Sequence, residues 1–160
     1  MTVLRRLFPR QFDNGYHGHR AALWLLGLLV ALKLVVSVNS ILNTASVAAG
    51  ADGIPLGSFG PAAARIVLML FALSALADLA LAVIAVVALI RYRAMVPFIY
   101  LILLGEYVAG RFIIQSYAVA RSGGISVGWY VNIGIVTLMT FGLALSLIRA
   151  RQQPSPHVPD

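Results

Sequence analysis

Four apolar runs, each long enough to cross a lipid bilayer as a helix, constrain this chain more than any other feature. A helix needs about 20 residues to span a ~30 Å hydrocarbon core, and runs of 18 or more residues with few charges read as spans. The runs cover approximately 21–46, 62–90, 94–118 and 127–148. Of the 160 residues, 61% are hydrophobic and 11% charged, where a soluble domain has roughly 25% charged. A soluble fold has nowhere to hide that much apolar surface. The expected fold is an all-α membrane protein, a four-transmembrane-helix bundle forming a single integral membrane domain over 1–160. In "SFGPAAAR" Pro61 stands just before the second run, and Pro97 lies in the first turn of the third. Helices tolerate proline at both positions.

The charges set the orientation. Twelve Lys and Arg against five Asp and Glu give a net charge of +7, which on a soluble protein points to nucleic acid when the basic residues cluster on one exposed face. Here they stand at the ends of apolar runs, so no nucleic-acid partner is expected. Arg5, Arg6, Arg10 and Arg20 precede the first run, Arg91 and Arg93 flank the tight "RYR" turn, and Arg149 and Arg151 follow the fourth. Only Arg65 and Arg121 flank the other side. The positive-inside rule then predicts both termini and the "RYR" turn in the cytoplasm of a bacterial-type inner (plasma) membrane, with anionic lipid headgroups as partners. "VAAGADGIPLGSFG" and "RSGG" fall on the outside.

The first run also invites a secretory reading, because "VAAG" resembles a small-residue cleavage site. Its twenty-residue lead and its length favour a retained helix. Residues 1–20 form a basic lead in which Val3, Leu4, Leu7, Phe8 and Phe12 alternate with arginines. Such a segment suits the headgroup layer, and equally a basic cytoplasmic tail. The proline-rich 149–160 reads as a disordered cytoplasmic tail.

Lys33 is thirteen residues after Arg20, Asp78 thirteen before Arg91, and Glu106 thirteen after Arg93. At 1.5 Å per residue all three lie ~20 Å from the arginine layer, near the bilayer centre. Arg111, five residues past Glu106, sits about 7 Å further out and is long enough to snorkel. An ionised group at the midplane costs from about +2.5 to above +10 kcal/mol, so such groups usually face the bundle and pair. The expectation is that Lys33 pairs with Asp78 or Glu106, that Arg111 shares an acid, and that the quartet is neutral. The second and third runs, joined by "RYR", are expected to be the surest neighbours.

Further polar residues continue outward: Ser37, Asn39, Ser40 and Asn43 on the first run, Ser74 on the second, Gln115 on the third, Tyr130 and Asn132 on the fourth. The inner halves are nearly pure Leu, Ile, Val and Ala. Two readings fit this asymmetry. One is a polar pocket that opens outward and closes at its inner end. The other is interhelical hydrogen bonding, which membrane bundles use routinely at about 0.6 kcal/mol per contact. Small residues (Ala72, Ala75, Ala82, Ala85; Gly105 and Ala109; Gly128, Gly134 and Gly142) favour tight packing or self-association. Trp24, Trp129 and Tyr100 are candidate interface anchors.

No motif names a reaction. The chain lacks cysteine, which removes disulfides, thiol chemistry and Cys-ligated metal. His17, His19 and His157 lie outside the runs, so no axial ligand for a haem stands at membrane depth. "HGH", with Asp13 the nearest third ligand, falls short of a closed metal-ligand set. P-loop, nucleophile-elbow, metalloprotease and dinucleotide patterns are absent. No catalytic residue, cofactor or metal site is assigned.

The leading functional expectation is a non-enzymatic integral inner-membrane protein held by its intramembrane charge layer. It would act as an accessory or structural subunit of a larger membrane protein or as a homo-oligomer. The alternative is a small transporter or proton-coupled carrier using Lys33, Asp78, Glu106 and Arg111. A membrane-embedded enzyme with Glu106 or Asp78 as acid and base stands third.

Overall fold

The computed structural model describes Leu7, residues 13–117 and residues 127–148, with side chains from 133 onward in the last helix. Among the described residues every regular element is helical and there is no strand. In chain order they are α1 (Arg20–Leu42), the short α2 (Thr44–Gly50), α3 (Pro61–Arg91), α4 (Val96–Ser116) and α5 (Val127–Leu147). Single 3-10 turns lie at Leu56–Ser58 and Arg93–Met95.

Three helices are long and apolar enough to cross a membrane: Arg20–Leu42, Pro61–Arg91 and Arg93–Ser116. The described apolar stretch of α5, Ile133–Leu147, is shorter. The first run ends at Leu42 rather than at residue 46. Asn43 leaves helical geometry (φ −118°, ψ 38°) while its amide still bonds the Asn39 carbonyl. Asparagine competes for backbone hydrogen bonds and favours helix ends. The following connection is also more ordered than a loop reading implies, because α2 and the 3-10 turn occupy much of it. Pro61 and Pro97 both stand in the first turn of their helices.

α1 is the hub. Its buried residues Ala22, Leu26, Leu29, Val30, Ser37 and Ser40 fall on one helical stripe. The opposite stripe, including Trp24, Leu28, Leu32, Val35 and Val36, is exposed. α1 lies most extensively against α3 and also against α5, and α4 lies against α5. α3 turns an alanine face (Ala75, Ala82, Ala85, Ala88) inward, and small side chains let helices approach closely.

α3 and α4 share the shortest connection, yet they touch far less than α1 and α3 do. They are neighbours, as their short connection requires, but not the most extensive pair. The inward face of α3 is spent on α1, and α4 sends Tyr100 against Gly142 of α5.

The core sits at the end that carries Arg20, Arg91 and Arg93, here termed the basic end. Ala22, Leu26, Leu29, Val30, Ala85, Ala88, Val96, Ile99, Tyr100, Leu103 and Met139 form one buried cluster there. Tyr100 is fully buried and donates to the Ala22 carbonyl at 2.7 Å. A methyl group at Gly142 would collide with the Tyr100 ring, so glycine there makes the slot that the tyrosine fills. Tyr100 is therefore a core residue, not an interface anchor.

Candidate functional site, an interhelical charge triad

Lys33, on the inward stripe of α1, carries its ammonium between α3 and α4. Its Nζ donates to Asp78 Oδ1 at 2.6 Å and to Glu106 Oε2 and Oε1 at 3.0 and 3.1 Å. Three helices are thus joined at one depth by one cation and two carboxylates. The lysine side chain is 16% exposed, and those of Asp78 and Glu106 are 35% and 33% exposed. Asp78 interrupts the alanine face of α3 at the register of Ala75 and Ala82. Charge-assisted hydrogen bonds of this length are about twice as strong as neutral ones.

Arg111 does not join this group. Among the described residues it forms no ion pair with Asp78 or Glu106. The expected neutral quartet is a triad, with the arginine standing apart beside Tyr107, which also lies within electrostatic reach of Asp52. The reason is helical geometry. At 100° per residue, five positions place Glu106 and Arg111 about 140° apart, so a residue facing α1 and one five places on face different neighbours.

The outer polar set divides as well. Ser37 and Ser40 are buried on the α1 stripe that carries Lys33. Asn39, Asn43, Ser74 and Gln115 are exposed. Asn39 and Asn43 bond one another at 2.8 Å, a pairing that the i, i+4 spacing allows. The side chains of Tyr130, Asn132 and Trp129 lie outside the described residues, as does Arg121. Trp24 is 83% exposed, at the helix start where an interfacial ring belongs.

Comparison of the chain with protein-family models, with curated proteins and with solved structures finds no match.

The residues at the basic end do structural work that the sequence did not advertise. His19 caps α1 by accepting the Ala21 amide on Nδ1, and its own amide bonds the Leu145 carbonyl at the end of α5. The Ala94 amide, in the turn between α3 and α4, bonds the Asp13 carbonyl. Residues 13–19 thereby stitch the ends of α5 and of the α3–α4 turn to the start of α1. Tyr16 is half-buried in this seam and donates to the His19 carbonyl. Burial pushes its phenol up to about 12. Among the described residues no group of three or more metal-ligating side chains occurs, and in "HGH" the Nδ1 of His19 is committed to its helix cap. Gly18 is closely packed within this seam, where a Cβ would meet the Ser146 carbonyl and the Tyr16 ring.

Proposed function

We propose that the chain is a non-enzymatic integral protein of a bacterial-type inner membrane, a four-helix bundle with both termini cytoplasmic. In this reading it serves as an accessory or structural subunit beside a larger membrane protein, or as a self-associating unit, among anionic lipids. The observation that carries it is the single ammonium of Lys33 joined to carboxylates on two other helices. A charge at membrane depth is costly alone and tolerable when paired, so this arrangement makes α1, α3 and α4 depend on one another. The extensive apolar surface left on α1 and α3 supports lipid or partner helices as the surrounding medium, and the grouping of Arg20, Arg91 and Arg93 at helix ends supports a cytoplasmic basic end under the positive-inside rule.

The expected result for Lys33→Met is a loss of about 3 kcal/mol of stability, in line with breaking a buried ion pair. Thermal unfolding in detergent and steady-state abundance in the membrane both read it. Unchanged stability and abundance would defeat the structural role. Partial exposure of both carboxylates supports one competing reading, a proton-coupled carrier. That reading wins if Asp78→Asn or Glu106→Gln protein assembles normally yet loses pH-dependent flux in liposomes. Gentle detergent purification followed by mass spectrometry separates the partners: a stoichiometric membrane protein supports the subunit reading, and a bound small anion the carrier.

A further inference from the structure

The triad does not balance. With all three groups ionised, Lys33 supplies one positive charge and Asp78 and Glu106 supply two negative ones. Among the described residues no second cation pairs with either acid. α1 brings Lys33, α3 brings Asp78, and α4 brings Glu106 with Tyr107 beside it and Arg111 further along, unpaired with either acid. α5 has no titratable side chain across 133–147. Asp52, beyond α2, lies on the Tyr107 side and would add negative charge rather than relieve it.

We propose that the Lys33–Asp78–Glu106 layer is a binding site for one exchangeable proton, held on Glu106. The geometry selects the glutamate. Asp78 makes the short contact with the ammonium, at 2.6 Å, while Glu106 straddles it with both oxygens at 3.0 and 3.1 Å. The tighter pair keeps the full ionic bond. A neutral Glu106 still accepts from Lys33 through its carbonyl oxygen and gains one O–H donor. On release, the proton leaves as a hydrated proton and both acids become anions on one ammonium.

The proposed exchange runs on the side away from the basic end, where α4 is least covered. Between Glu106 and Ser116 no residue of α4 is buried, whereas Val96, Pro97, Ile99, Tyr100 and Leu103 seal the other side. Proton occupancy therefore sets how firmly α4 is tied to α1 at this depth. The inference rests on the membrane reading, since a surplus charge in water would simply be solvated.

Glu106 is the only glutamate in the chain, so glutamate labelled with carbon-13 at its side-chain carboxyl reports on this one group. The experiment is a solid-state NMR titration of the full chain in lipid vesicles, from mildly acidic to mildly alkaline pH. The expected result is a carboxylic-acid signal at neutral pH that converts to carboxylate in one step as pH rises. In Asp78→Asn, where Lys33 has a single acid left, the same carbon reads as carboxylate at neutral pH. A carboxylate signal at neutral pH in the unaltered chain overturns the proposal, and this needs no variant to fold. So does a signal that is carboxylate in sodium buffer and acid in choline buffer, which would assign the site to a metal cation. Backbone amide exchange on the same sample judges the membrane reading separately. Protected α1, α3 and α4 amides keep it, and freely exchanging ones sink it together with the proton site.

Discussion

Between Arg20 and Lys33, α1 buries Ala22, Leu26, Leu29 and Val30; beyond Lys33 its buried residues are Ser37 and Ser40. The same change runs through α4, which buries five residues before Glu106 and none after it. Two halves of the same helices are thus held on different terms. The basic half is a packed apolar core keyed by Tyr100 in the Gly142 slot and tied by the 13–19 seam. The far half has small and polar contacts, and the charge triad marks the border between the two. Dense packing at one end and sparse packing at the other leave the triad supported mainly from the basic side.

Gly142→Val attacks the basic half most directly. Tyr100 cannot keep its place beside a branched side chain, and overpacking of a tight core costs about 1–3 kcal/mol. Thermal unfolding in detergent is expected to show a loss near the top of that range, together with lower membrane abundance. A stable Gly142→Val protein would mean that the two halves are packed alike.

Tyr100→Phe is a gentler probe of the same half. It removes the hydroxyl that bonds the Ala22 carbonyl and keeps the ring, so a loss of about 1 kcal/mol is expected. An equal loss from Lys33→Met, far below the larger value expected there, would move the energetic centre away from the triad.

The smallest effects belong to the far half. Asn39→Ala and Gln115→Ala change exposed side chains, and each is expected within about 0.5 kcal/mol of the parent. If Asn39→Ala instead abolishes a dimer seen in cross-linking, the exposed asparagines are recognition residues rather than idle surface.

The apolar runs made the long helices legible, because membrane-length hydrophobicity is a one-dimensional signal that needs no tertiary knowledge. The common depth of Lys33, Asp78 and Glu106 was legible for the same reason, since it follows from counting residues along straight helices. Which side each polar group faces was not. Arg111 and Asn39 sit at suitable depths, yet the angle at which a helix docks is set by its neighbours, as with the alanine face of α3 and the tyrosine key of α4. The pairing of α1 with α3 over that of α3 with α4 was hidden likewise: a short turn brings two helix ends together and says little about the rest of their length. The seam at 13–19 rests on backbone amides, which every residue possesses and no sequence pattern marks.

That seam has a consequence for how the molecule is made. His19 bonds Leu145, so the start of α1 waits for a segment made much later than itself. Until α5 is in place, the start of α1 lacks this partner and the slot for Tyr100 does not exist. Closure of the basic end therefore follows the synthesis of α5, and a chain halted before that helix would present an unfinished end.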